Sequence, residues 1–423
     1  MNVKLLKKDL HHGLAALGAA AFSLVGLSQV SASASTSMTL TEIDYYSTVG
    51  QLKALNAYVK QFDASHPGVK VVLTHTPFAS YDTKLLTDAS GHDLPNIVMV
   101  DNPFVPDMIA TGEMLPLSSF RGFSAKGYFK GIIDEGLFNG KYYALPVAGS
   151  NSLALFYNIA MLKAAHVSPP KTWAQLVSAA KKLTKPPVYG IALTCEPAED
   201  TTWQWEPFLW SNGGSLADVS GTPAVQALSL WATLVKDGSA SKACLGWSQS
   251  PDAIEQFIHG DAAMEVNGPW NFSNLNAAGW YYGKQFGIVP IPVRVPGQKV
   301  VAPLGGEDYM VSDSGTKAEQ EMAFKFIQGL QTPSEELYMA KVFGYMPPKP
   351  TVAKEFIKIA GPEWSVFVSE TLNAIPRANV LGVKYAKMSE AVWTAIDAAV
   401  SGSQSVKSAL DTAQSQITAI LKG

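Results

Sequence analysis

The chain has 423 residues, 47% of them apolar and 16% charged. That balance excludes a mostly disordered protein, and the length exceeds one ordinary core, so two lobes are expected. The formal charge of −3 offers no basic face, which excludes a nucleic-acid partner.

In chain order, Lys4, Lys7 and Lys8 precede an apolar run from Gly13 to Val30 and then the small-residue stretch VSASAST. This is the grammar of a secretory signal peptide, residues 1–34, with cleavage expected after Ala34. Three of the 32 basic and one of the 35 acidic residues leave with it, so 29 basic and 34 acidic residues remain. The mature chain is expected to be exported, periplasmic or extracellular, and soluble. No cysteine lies near the cleavage region to take a lipid anchor. The two cysteines, Cys195 and Cys244, either pair, as an exported setting permits, or stay as buried thiols.

The mature chain opens with the strand TLTEIDYYS. A helix follows, marked by Leu52, Leu55, Val59 and Phe62 and stopped by His66, Pro67 and Gly68, and then the β-branched strand VKVVLTH. A second helix from Tyr81 to about Ala89 and the strand NIVMV complete β-α-β-α-β, the start of a parallel sheet. The run YYALPVAGSNSLALFYN, broken by Pro146 and Gly149, marks a crossing to a second lobe. There TWAQLVSAAKKL reads as a helix and PVYGIAL as a strand. Eight of the ten tryptophans lie between Trp173 and Trp280, which sets this second half apart in composition. A Pro-rich run from Gly287 to Ser312 leads to further helices, and helices at Ser389 to Val400 and about Ser403 to Leu421 end the chain, the last with Val406, Leu410, Ala413, Ile417 and Leu421 on one face. Three crossings between two α/β lobes fit this order, as does a single large α/β domain.

Motifs for chemistry are missing. There is no G-x-S-x-G, H-E-x-x-H, P-loop or G-x-G-x-x-G after a strand. The five histidines of the mature chain, His66, His75, His92, His166 and His259, stand singly, so no metal or cofactor is expected. Carboxylates in ligand-site positions, Asp101 and Asp107 after a strand and Glu307 and Asp308 after a Gly-Gly pair, keep a glycosidase open as an alternative.

The stretch GDAAMEVNGPWNFSNL, with Asn267, Gly268, Pro269 and Trp270 at its centre, resembles the bacterial ABC-transporter solute-binding proteins for carbohydrates, the maltose-binding-protein-like family. FDASHPGVKV, LPNIVMVDNPFVPDMIATGEMLPL, GKYYALPVA, LALFYN, PKTWAQLVSAAKKL and PFLWSNGG resemble it in the same order, over essentially the whole mature chain. The resemblance implies a two-lobed periplasmic-binding-protein fold, each lobe a mainly parallel sheet flanked by helices, with a hinge and an interlobe cleft. The lobes are expected at 39–146 with 304–373 and at 150–300 with 376–423. It implies capture of a sugar and delivery to ABC-transporter permease subunits by a monomer that is not an enzyme.

A sugar has apolar faces ringed by hydroxyls, so its site needs an aromatic plate and fixed polar groups. Trp270 is the expected plate, with Asn267 beside it. Trp203 matches a second-lobe aromatic, with Trp205 as the other choice. Tyr46, Ser47 and Gln51 fill the first strand-to-helix turn, and Asp101 and Asn102 follow the third strand. Asn151 lies past the first crossing, Gly305, Gly306 and Glu307 form a Gly-rich crossing, and Arg377 stands at re-entry to the second lobe, placed to clamp hydroxyls or an anion. Maltose specificity is not implied, because the family's Arg-, Glu- and Trp-rich details are not reproduced. Another oligosaccharide, a trehalose-like disaccharide or a glycerol phosphate or polyol remains open.

Overall fold

The computed structural model describes residues 37–147, 149–371, 374–377 and 381–423. The expected signal peptide, 1–34, lies outside them. In chain order the main elements are β1 (Met38–Asp44), α1 (Val49–Ser65), β2 (Val69–His75), α2 (Phe78–Ser90), β3 (Ile97–Asp101), β4 (Ala144–Pro146) and β5 (Ala154–Asn158). Next come α3 (Trp173–Leu183), α4 (Glu199–Ser211), α5 (Thr222–Lys236), β6 (Met264–Asn267), β7 (Phe286–Val289) and β8 (Glu307–Val311). The rest is helical: α6 (Lys317–Leu330), α7 (Pro350–Ile359), α8 (Ser365–Thr371), α9 (Tyr385–Ser401) and α10 (Val406–Lys422).

The predicted β-α-β-α-β start is present. Thr48 and Gln51 form a reciprocal capping box that starts α1. Helix α2 begins three residues earlier than the apolar pattern indicated, because Phe78 joins its first turn. Strands β2, β1 and β3 pair in parallel, and β8 inserts antiparallel between β3 and β4, with Glu307 opposite Asp101 and Asp308 opposite Pro146. Strand β3 is buried on both faces, as helices on both sides require. Ile97 and Met99 pack with Leu55, Phe62 and Phe326 of α1 and α6, while Val98 and Val100 pack with Tyr81 and Leu85 of α2.

The second sheet has the order β6-β5-β7, and both pairings are antiparallel. The mainly parallel sheet expected here is corrected for a simple reason. Strands β6, β7 and the segment at Ala192, which pairs parallel with Glu265, run one way, and β5 arrives from the first crossing against them. Its main core joins Leu155, Leu176, Trp205, Phe208, Trp231, Ile396 and Leu410, so α9 and α10 close this lobe. Helices α7 and α8 also lie here: Phe356, Trp364 and Phe367 pack with Phe156, Phe272 and Phe286, although their segment was expected with the first sheet.

Crossing segments run side by side between the sheets. Asn151 pairs with Gly305, Ser150 with Met346, and Pro303 and Leu304 with Ile375 and Pro376. Gly305 and Gly306 are required by this crowding. A Cβ at 305 would stand 2.0 Å from Asn151 Oδ1 and 2.6 Å from the Trp203 ring, and one at 306 would stand 2.4 Å from the Gly149 carbonyl oxygen.

Candidate functional site

A cleft of about 620 Å³, counting its open mouth, lies where the strand ends of the first lobe, the crossings and the second lobe meet. From the first lobe it receives Tyr45, Ser47, Thr48, Gln51, Phe78, Asp101, Glu307 and Tyr345. The second lobe supplies Asp200, Trp203, Gln249, Ser250 and Trp270, and the crossings supply Asn151, Gly305, Gly306 and Arg377. Ten of the thirteen residues expected from sequence therefore line it. Tyr46, Asn102 and Asn267 do not.

The corner at 267–271 accounts for two of these placements. Asn267 is fully buried: its Oδ1 accepts from the Gly268 N–H at 2.9 Å and from Asn271 Nδ2 at 2.7 Å, while its Nδ2 donates to the Gln249 carbonyl at 3.0 Å. The expectation that it contacts ligand is corrected, because its hydrogen-bonding groups hold the turn. Gly268 has no side chain because the Trp270 ring lies over it, 1.9 Å from where a Cβ would be. Pro269 opens the 3-10 turn Pro269–Asn271, and Trp270 borders the cleft with 7% of its surface exposed.

Tyr46 is corrected in favour of Tyr45. Successive side chains alternate at the end of β1. Tyr46 turns into the core against Phe343, with ring centroids 4.7 Å apart. Tyr45 reaches the cleft and donates from its hydroxyl to Glu307 Oε1 at 2.8 Å. Between the two tryptophan candidates, Trp203 lines the cleft and Trp205 is wholly inside the core.

Arg377 is 5% exposed and nearly saturated. Its Nη2 donates to Asp101 Oδ1 at 2.6 Å and to Asn102 Oδ1 at 3.0 Å, its Nη1 to Glu199 Oε1 at 2.8 Å, and its Nε to the Leu304 carbonyl at 3.4 Å. The guanidinium also sits 4.5 Å above the Trp203 ring. Asn102, whose Nδ2 donates to Glu135 Oε2 at 3.1 Å, serves this network behind the cleft and is corrected as a ligand contact. Glu199 accepts further from Tyr385 Oη at 2.6 Å and from Ser389. Arg377 thus ties the end of β3 to the first turn of α4, and among the described residues that line the cleft it is the one basic side chain.

Burial dominates the electrostatics. It pushes Glu307 up to about 8, and it pushes Asp308 up to about 8 with help from the neighbouring Glu307 and Asp101 charges. Burial also raises Asp101, although the Arg377 charge and hydrogen bond pull the other way. Near neutral pH the floor of the cleft therefore carries less negative charge than its carboxyl count implies.

Tyr45, Thr48, Phe78, Asp200, Gln249, Ser250 and Tyr345 were missed from sequence. Tyr45 and Thr48 flank residues that were chosen, so the strand-to-helix turn signalled them. Phe78 opens the next strand-to-helix turn. Asp200 opens a helix, and Gln249, Ser250 and Tyr345 come from irregular segments brought in by long-range packing, where no local signal exists.

A family model described as bacterial extracellular solute-binding protein matches residues 57–365. Among relatives, a probable ABC transporter-binding protein of Deinococcus radiodurans is 26% identical over 94% of this chain and 98% of its own length. A putative binding protein of Brucella abortus is 23% identical over 63% of this chain, and the match spans 66% of that relative, just under two thirds. Among solved structures, maltose-bound T. maritima MalE3 superposes with a TM-score of 0.80 at 22% identity, over 90% of this chain and 100% of that one, which establishes the two-lobed fold. Among the described residues no helix is long and apolar enough to cross a membrane. A two-lobed chain with its cleft at the crossings, matched over most of its length by that family model, belongs to the bacterial extracellular solute-binding proteins.

Proposed function

We propose that the protein captures a neutral sugar, a di- or oligosaccharide, in the cleft and delivers it to the permease subunits of an ABC importer. One observation carries the reading: five aromatic side chains, Tyr45, Phe78 and Tyr345 from one lobe and Trp203 and Trp270 from the other, border a cleft whose basic side chain is already engaged. Aromatic faces suit the C–H faces of sugar rings, and Ser47, Gln51, Asn151, Gln249 and Ser250 supply a polar edge for hydroxyls. The Deinococcus relative's name supports the link to an ABC transporter, and the maltose in the T. maritima structure supports the ligand class.

A glycerol phosphate fits poorly, because Arg377, the basic side chain that borders the cleft, has almost no donor to offer its charge. In this reading the ligand leaves unaltered, the protein works as a monomer outside the cytoplasm, and transport energy comes from a partner ATPase. The first lobe comprises 39–146 and a return segment from 304 that ends near Tyr345, in keeping with the packing of α7 and α8. Residues 147 and 149–151, 303–306 and 374–377 form the hinge, and closure presents the permease with a surface the open form lacks.

Thermal unfolding of the mature protein against saccharides, polyols and glycerol phosphates tests this. A ligand at 100 times its Kd adds about 2.7 kcal/mol. The expected result is a shift with a di- or oligosaccharide that is recovered intact. A shift only with glycerol phosphates, or a hydrolysed sugar, overturns it.

A further inference from the structure

Cys195 and Cys244 are the chain's two cysteines, and neither lines the cleft. Both are fully buried thiols. Cys195 lies on the segment that continues past Ala192 beside β6, and Cys244 lies in the 3-10 turn Lys242–Gly246. The Cys195 N–H donates to the Cys244 carbonyl at 2.9 Å. Such a bond sets two main chains at neighbouring-strand spacing, about 5 Å, within disulfide reach.

Their position matters for the cleft. Five residues after Cys195 comes Asp200, followed by Trp203, and five after Cys244 comes Gln249, followed by Ser250. These two strips make one wall. Across it, the Gln249 N–H donates to Asp200 Oδ2 at 2.9 Å and Gln204 Nε2 to Gln249 Oε1 at 3.4 Å, hydrogen bonds that can be exchanged for water.

We propose that in the exported protein Cys195 and Cys244 are joined as a disulfide that fastens these two strips into one wall. Each thiol loses its proton, the sulfurs bond, and the two electrons reduce the disulfide of a thiol–disulfide exchange partner to two thiols. Because both sulfurs are buried in the folded chain, the exchange takes place while the chain folds. Burial of both sulfurs then keeps outside thiolates from reaching the bond, which leaves the folded disulfide inert toward further exchange. The bond itself stands apart from the proposed function, whereas its effect on the wall rests on that reading.

The test is the mass of the exported mature protein, unfolded in guanidinium with excess N-ethylmaleimide. No adduct is expected without reductant and two after reduction, and any adduct without reductant overturns the disulfide. The double variant C195A/C244A should unfold several degrees lower and bind the cognate sugar about fivefold more weakly. An unchanged Kd overturns the wall's dependence on the bond. A wild-type protein that no sugar stabilises overturns the proposed function instead, and leaves the mass result standing.

Discussion

The corner around Trp270 and the crossing around Arg377 both place conspicuous side chains beside the cleft, and they use them in opposite ways. At the corner the polar Asn267 turns inward to hold the backbone, and the aromatic ring borders the cleft. At the crossing the charged group borders the cleft as well, yet Asp101, Asn102, Glu199 and the Leu304 carbonyl take nearly all its donors. Hydrogen bonding has a valence that neighbours can fill, whereas an aromatic face keeps its capacity when its edge is packed. A polar residue near a cleft must therefore be judged by what remains unfilled.

The sharpest way to break this comparison is Arg377→Ala. Asp101 and Glu199 would be left buried without their countercharge, and the expected loss is about 3–5 kcal/mol of unfolding free energy, measured in urea. Arg377→Lys should recover only part of it, since an ammonium cannot span both carboxylates as the guanidinium fork does. A loss below about 1 kcal/mol would mean that the crossing is held by backbone pairing and that Arg377 is available to a ligand after all.

Acidity tests the same network from the other side. Glu307 and Asp308 are pushed up to about 8 and Asp107 and Glu336 to about 6, from ordinary values of 4.5 for Glu and 3.8 for Asp. Raised carboxyls make the native state hold protons that the unfolded chain has released. Their contribution is whole below about pH 4 and is lost as the pH climbs through 6 and 8. Unfolding free energy should thus be greater at pH 5 than at pH 8, with Glu307 alone accounting for about 3 kcal/mol, so that Glu307→Gln flattens the upper part of the slope. A stability maximum at pH 8 would show that these groups are ionised in the native protein.

Much of the first lobe was legible because its signals are local. The helical spacing of Leu52, Leu55, Val59 and Phe62, the His66-Pro67-Gly68 stop and the apolar run Ile97–Val100 of β3 state their structure within a few residues. Positions at and just past strand ends followed, so Ser47, Gln51 and Asp101 were placed beside the cleft, and the Gly-rich crossing placed Glu307 there. The second lobe was less legible. The direction of β5 depends on how the chain enters, and the packing of α7 and α8 on Phe156 and Phe286 depends on contacts distant in sequence. Asn267 and Asn102 were misread because type and position were right while their partners could not be seen.

Trp270→Leu sharpens the aromatic side of the comparison. A leucine keeps the corner apolar, so most of the stability should survive, while loss of the ring face should weaken sugar binding by about 1 kcal/mol, roughly fivefold, in calorimetry. Equal affinity would remove Trp270 from the site and leave Trp203 as the second lobe's plate.

The finest discrimination comes from two adjacent tyrosines. Tyr45 donates to Glu307 Oε1 at 2.8 Å and borders the cleft, whereas the Tyr46 hydroxyl is buried with no hydrogen-bond partner among the described residues. Tyr45→Phe removes a donor from a buried carboxyl and should cost about 1 kcal/mol of stability as well as some ligand affinity. Tyr46→Phe deletes an unsatisfied polar atom while keeping the ring against Phe343, so stability should stay level or rise by up to about 1 kcal/mol with affinity unchanged. If the two substitutions instead behave alike in chemical denaturation, alternation at the end of β1 does not decide which ring meets the ligand, and the assignment of Tyr45 over Tyr46 falls with it.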